Sequence, residues 1–216
     1  MPYDFLAAKH QLARDLWNCG VILTKKDSPT GQGFELVGGG FSPVYVESRV
    51  IPSHPAELVR IAKHLSVMML KFGNASNYEF DYVADVPHGV TPIVTMISVE
   101  TFFPMLMPRE PKGHGSDAAI YGHYKPGSKV ALFEDSVTTG GSVARSGEIL
   151  RQGGLEANHV FALIDREQGG RERLREEGYE LVPALTLSWL LQFGLKMGFI
   201  ELGAVNEISR YLEKSR

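Results

Sequence analysis

The chain is expected to fold as an α/β protein: a core of parallel strands with helices on both faces. Three observations predict this. From Tyr82 onward, short apolar runs alternate with amphipathic stretches of helical spacing, the pattern of repeated strand–helix–strand units. Each run is followed by a polar loop, placed at what would be the carboxyl end of a strand, where open α/β sheets bind their ligands. And 216 residues with 44% hydrophobic content suffice for one sizeable core but not for two full domains.

Taken in order, Leu6, Leu12, Ala13, Leu16 and Trp17 fall near helical spacing, and Gly20 can end that helix. Val21–Leu23 is a short strand candidate. Asp27–Gly33, with Phe34–Val37 and the following Gly38, Gly39 and Gly40, reads as a hairpin or loop region. Pro43–Val46 is another strand candidate. Pro52 and Pro55 introduce a helix with Leu58, Ile61, Ala62, Leu65 and Met69 on one face, ending near Gly73.

Next come a strand at Tyr82–Ala84, a turn at Asp85–Gly89, a helix from Thr91 to Val99 and a strand at Phe102–Met107. Pro108–Tyr124 is polar and contains Gly. Lys129–Phe133 reads as a strand, Glu134–Gly141 as a loop, and Ser142–Arg151 as a helix closed by Gly153 and Gly154. His159–Ile164 is a further strand, Glu167–Glu177 a solvated helix face, and Val205–Leu212 a C-terminal helix. The expected organisation is one domain over 1–216. Its core spans about 55–190, and a small hood is made from about 1–50 plus the C-terminal helix.

Several function classes are excluded. Charge is mixed, 22 basic against 25 acidic residues with net −3, so the basic field that nucleic-acid binding needs is missing. The single Cys19 rules out an internal disulfide and any multi-cysteine metal site, and reads as a small apolar helix residue. No apolar run reaches the roughly 18 residues of a membrane span, and the start Met-Pro-Tyr-Asp-Phe lacks a signal-peptide pattern. A soluble, cytoplasmic protein that binds no membrane is expected.

Chemistry concentrates in Val130–Ser142. Glu134 and Asp135 stand side by side at the end of a buried apolar run, followed by Ser136, Val137, Thr138, Thr139, Gly140, Gly141 and Ser142. Small hydroxyl residues and glycines let consecutive amides converge at a helix N-terminus, an anion-binding arrangement. Carboxylates accept from hydroxyls and amides donate to phosphate, so the combination suits a sugar phosphate. A turn with Ser142 as a plain helix cap is the alternative.

This thirteen-residue segment resembles the phosphoribosyl-diphosphate motif of type I phosphoribosyltransferases. The resemblance implies their Rossmann-like parallel-sheet fold, with Glu134 and Asp135 on the ribose hydroxyls and Thr138, Thr139, Gly140, Gly141 and Ser142 around the 5-phosphate. It also implies Mg2+ as cofactor, carried mainly by the substrate's diphosphate and hydroxyls, so no metal-ligating side chain is assigned.

Three further segments are similar to orotate phosphoribosyltransferases. Phe34–Tyr45, with Ser42, Pro43 and Tyr45, resembles that family's N-terminal hairpin. Arg109–Gly115 resembles its mobile catalytic loop, and Ile164–Gly170 the segment whose Arg reaches the orotate ring. The resemblance assigns Lys112, His114 and Arg109 to catalysis, Tyr45, Arg166 and Thr138 to orotate, and the Asp85–Gly89 turn, with His88, to the diphosphate. It implies phosphoribosyl diphosphate and orotate as substrates, orotidine monophosphate as product, and a homodimer whose catalytic loop is shared across the interface.

The cationic loop fits the chemistry, since the leaving diphosphate gathers negative charge in a water-poor site. A solvated loop, a simple strand-to-helix turn and a salt-bridged surface helix at Arg166 are the plain alternatives for these segments. Val37 stands where the family has Lys, and Pro108-Arg109-Glu110 where it has Arg-Lys-Glu; Lys25 and Lys26 are the ammonium groups able to replace the first. Transfer to another base, and a regulator that binds without turnover, are the other functional readings.

Overall fold

The computed structural model describes residues 3–36, 39–110 and 119–215. Helix α1 (Phe5–Asn18) begins where Asp4 accepts hydrogen bonds from the amides of Leu6 and Ala7, both at 3.0 Å. It buries Leu12, Ala13 and Leu16, as the spacing predicts. Strand β1 (Ile22–Thr24) follows, then β2 (Phe34–Glu35), β3 (Phe41–Ser42) and β4 (Val44–Val46). β2 and β3 form the expected hairpin ladder, and β1 pairs antiparallel with β4 through Ile22 and Val46. A 3-10 turn, Ser48–Ser53, leads into α2 (Pro55–Ser76), which carries Pro at its first position and runs past Gly73 to a left-handed Asn77.

Strand β5 (Tyr82–Asp85), α3 (Thr91–Thr101), β6 (Met105–Pro108), β7 (Ile120–Tyr121) and β8 (Lys129–Val137) come next. They are followed by α4 (Gly141–Gln152), β9 (Glu156–Asp165), α5 (Gly170–Glu176), β10 (Glu180–Thr186), α6 (Leu187–Met197) and α7 (Leu202–Lys214). The central sheet has six strands in the order β10-β9-β8-β5-β6-β7. All its pairings are parallel except β6 with β7. Parallel strands buried on both faces read as continuous apolar runs, which is why Val130, Ala131, Leu132 and Phe133 are all fully buried. Successive side chains point to opposite faces. Ala131, Phe133 and Phe161 join the core shared with α1, α2, α3, α6 and α7, whereas Val130, Leu132 and Val160 pack with Leu150 of α4 and Leu174 of α5.

Four expectations need correction. Phe102 does not start a strand: it ends α3 in the left-handed region, 91% exposed, and β6 begins only at Met105. β8 does not stop at Phe133 but continues through Val137, because β9 goes on pairing with it at Ser136↔Ile164 and Val137↔Asp165. The two acids therefore belong to the strand rather than to a loop. β9 itself starts at Glu156, earlier than the run from His159. The fourth concerns β10 and α6, which escaped the sequence reading: Pro183 lies inside β10, tolerated because this strand is an edge with one partner.

The two chain ends pack together. The Trp17 indole donates to the Leu190 carbonyl at 3.2 Å and stacks on Phe199, a close approach that needs the bare Gly194 beneath the ring. Lys25 pairs with Glu207 and Lys26 with Glu201. Among the described residues, no helix is long and apolar enough to cross a membrane.

Candidate active site

The carboxyl end of β8 brings together the two acids and the hydroxyl- and glycine-rich loop. Glu134 is 6% exposed. Burial, and then the charge of Asp135 beside it, raise its carboxyl well above the usual range. Its Oε1 accepts from the amide of Asp135 at 2.9 Å, and Asp135 Oδ1 accepts from the amide of Ser136 at 2.6 Å. The Ser48 hydroxyl donates a short hydrogen bond to Asp135 Oδ2. Asp135 is thus held from a turn 87 residues away, a partner that nothing in the sequence marked. A methyl at Gly89 would strike the same carboxylate and the Ser48 hydroxyl, so the Gly89 turn and β8 meet at this acid.

Beyond Val137 the chain turns through Thr138, Thr139 and a left-handed Gly140 into α4. No side chain caps the start of this helix, so its first amides stay available to an anion. Glu134, Ser136 and residues 137–143, with Arg145, line a concavity of about 170 Å³. Gly140 packs so tightly on Leu174, and Gly170 on the Thr138 carbonyl, that neither site has room for a Cβ. Two cations flank the loop. Arg145 bonds Ser142 at 3.3 Å and lies 3.6 Å from Glu110. Arg173 reaches from α5 to within 3.6 Å of where a Gly141 side chain would begin. Neither arginine was singled out from the sequence.

Asp85 ends β5 with its side chain fully buried. It receives a hydrogen bond from Thr91 and a two-pronged contact from Arg109, each N–O distance 3.2 Å. Arg109 also donates to the Pro108 carbonyl at 2.7 Å, and its amide bonds Ala119 at 2.8 Å, closing the neck of the segment expected to be catalytic. Lys112 and His114 lie outside the described residues, as does Val37. His88 is exposed in the Asp85–Gly89 turn, after a cis peptide bond with Pro87.

Tyr45 accepts from Arg49 at 3.1 Å, and its ring sits 5.3 Å from that of Phe34. Arg166 follows β9, its amide bonded to the Val137 carbonyl. Its Nε is buried without a partner among the described residues, as is Oε1 of Gln168. Burial lowers the Arg166 pKa, while the phenols of Tyr211, on α7, and Tyr45 oppose that shift. Arg166 is thus within electrostatic reach of phenols on β4 and on α7. Lys25 and Lys26 are committed to Glu207 and Glu201 and do not stand in for the family's hairpin lysine.

No protein-family model matches the chain. It is 38% identical over 160 residues to the orotate phosphoribosyltransferase of Pyrococcus abyssi, covering 74% of this chain and 86% of that one. To the enzyme of the same name from Caenorhabditis elegans it is 36% identical over 163 residues, 75% of this chain and 70% of that one. Among solved structures, the UMP synthase of Leishmania donovani superposes with a TM-score of 0.81 at 28% identity, over 95% of this chain but only 42% of that longer one. The orotate phosphoribosyltransferase of Aeropyrum pernix superposes with a TM-score of 0.67 at 26% identity, over 87% of this chain and 99% of that one.

Proposed function

The chain belongs to the orotate phosphoribosyltransferase family, and from this we infer that it transfers the phosphoribosyl group of 5-phosphoribosyl 1-diphosphate to orotate. The products are orotidine 5'-monophosphate and diphosphate, a step in building pyrimidine nucleotides. The observation that carries the reading is that Glu134 shares one concavity with an uncapped helix start, with Asp135 next to it in the chain, a surface that takes a hydroxylated ring at one end and a phosphate at the other.

In this reading Asp135, steadied by Ser48 and by the amide of Ser136, and Glu134 accept from the ribose hydroxyls. Thr138 to Ser142 hold the 5-phosphate, and the Arg166 guanidinium, whose Nε has no partner among the described residues, meets the orotate carboxylate or carbonyls beside Tyr45 and Thr138. The turn with His88 offers amides to the diphosphate. Magnesium fits a site whose donors are hard oxygens; held by the substrate's own diphosphate beside Asp135 and Glu134, it would offset the charge of that leaving group. Breaking the C1–O bond leaves positive charge on the ribose, which the Asp135 carboxylate stabilises, and negative charge on diphosphate, for which Lys112, His114 and Arg109 are the cations. A homodimer, with that segment reaching the partner's site, belongs to the same reading, as does a soluble, cytoplasmic setting without nucleic-acid partners.

One observation favours a second reading, transfer to another base: Val37 replaces the hairpin lysine, and Lys25 and Lys26 point to α7 instead. Loss of orotate ultraviolet absorbance with magnesium and phosphoribosyl diphosphate present decides between them. Orotate consumption that falls by about 100-fold or more in Lys112→Ala, in the range of a lost general-acid or electrostatic group, supports the assignment. No consumption, with phosphoribosyl diphosphate still bound in calorimetry, moves it to another base.

A further inference from the structure

We propose that Cys19, His54 and Glu57 form a binding site for one borderline-soft divalent transition-metal ion, of which zinc is the type, separate from the substrate concavity. One donor atom from each residue lies within 4.8 Å of the other two. The three come from two pieces of the chain, the end of α1 and the start of α2, that the fold brings together. Cys19 caps the end of α1, His54 stands at the start of α2, and Glu57 lies in the first turn of α2. A tetrahedral zinc ion with bonds of about 2.0–2.3 Å needs ligand atoms roughly 3.3–3.8 Å apart. The observed spacing closes to that by side-chain rotation of about an ångström.

The donor types and their surroundings fit such an ion. Thiolate, imidazole and carboxylate are the zinc-binding set, and three of them leave a fourth position open. Neither His54 nor Glu57 caps α2, which has no side-chain cap hydrogen bond. Arg60 binds Oε1 of Glu57 at 2.7 Å, and among the described residues Oε2 has no hydrogen bond. Arg60 is itself fixed by two 2.9 Å bonds to the buried Asp15, the kind of outer support that orients a ligating carboxylate. Cys19 is 7% exposed, and burial first, then the Glu57 and Asp15 charges, push its thiol up to about 11. The same acids that oppose a bare thiolate attract a dication. An ion here ties the end of α1 to His54, the residue that follows the Ser48–Ser53 turn, whose first residue holds Asp135.

The test uses the full, untagged chain, stripped of metal by a chelator and titrated with Co2+ alone and then with Zn2+ alone. Cys19 is the sole cysteine, so a thiolate-to-cobalt charge-transfer band can come from no other side chain. We expect that band to saturate at one Co2+ per chain, to be displaced by Zn2+, and to vanish in Cys19→Ser. His54→Ala should weaken Co2+ binding at least about tenfold, and Arg60→Met, acting through Glu57, roughly tenfold. His54 is only half-buried, so its variant keeps the test open should Cys19→Ser fail to fold. Absence of the charge-transfer band overturns the proposal. So does Co2+ binding that is unchanged in His54→Ala, which marks an adventitious surface ion only.

Discussion

Replacing Arg109 by Met should uncover how much the Asp85 pair contributes to holding the end of β5 and the turn that the proposed function gives to the diphosphate. Asp85 has no exposed side-chain surface, and Arg109 is 21% exposed. Two N–O contacts of 3.2 Å join them. Methionine keeps most of the arginine's apolar stem, so little packing is lost, but among the described residues the buried carboxylate keeps only Thr91 as a side-chain partner. Removing one member of a buried ion pair costs about 3–5 kcal/mol. The edge position of Arg109 and the retained Thr91 bond place the expected loss at the lower end, about 3 kcal/mol. The assay is urea unfolding at neutral pH, followed by fluorescence of the two tryptophans. A double variant with Asp85→Asn should recover at least about 1 kcal/mol relative to the sum of the single changes, as coupled neighbours do. Orotate turnover measured alongside should fall in Arg109→Met, whereas Lys112→Ala should lower turnover with stability unchanged. A loss below about 1 kcal/mol, or strict additivity with Asp85→Asn, refutes the pairing as an energetic feature.

Gly89→Ala places a methyl against the Asp135 carboxylate and the Ser48 hydroxyl; the KM for phosphoribosyl diphosphate should rise about tenfold or more, equivalent to about 1.4 kcal/mol. An unchanged KM would mean that Asp135 gives way at no functional cost. Glu134→Gln addresses the raised carboxyl pKa. Because the folded value lies above the unfolded one, the folded chain holds a proton over the window from the ordinary Glu pKa upward. That stabilisation is complete below the unfolded pKa and is lost as pH rises through the folded pKa. Glutamine does not ionise, so urea midpoints taken at about pH 5 and about pH 8 should diverge, the wild type weakening relative to the variant. Parallel midpoints would contradict a buried, neutral Glu134.

What was legible in the sequence is what the chain encodes within a few residues. The apolar runs Tyr82–Ala84 and Lys129–Phe133 announced strands because a doubly covered parallel strand must be apolar on both faces. Glu134 to Ser142 announced a site because strand end, turn and helix start are consecutive, and local hydrogen bonding alone converges their polar groups. Strand limits were less legible: β8 extends through its two acids only because β9 supplies partners. Similarly, β10 is hidden by Pro183, which only an edge position permits.

The sequence by itself determined the α/β class, the order of most elements and the succession of the two acids and the hydroxyl- and glycine-rich turn. Tertiary structure alone decided that Ser48 holds Asp135, that Asp85 claims Arg109, and that Arg173 stands beside Gly141. It also turned Lys25 and Lys26 to α7, with Glu207 lying 182 residues from Lys25, and brought Cys19 to His54 and Glu57. The physical reason is range. Backbone periodicity and turn chemistry act over a few residues and leave a pattern in the chain. A contact between distant side chains depends on where whole helices and strands come to rest, and neither partner carries a mark of the other.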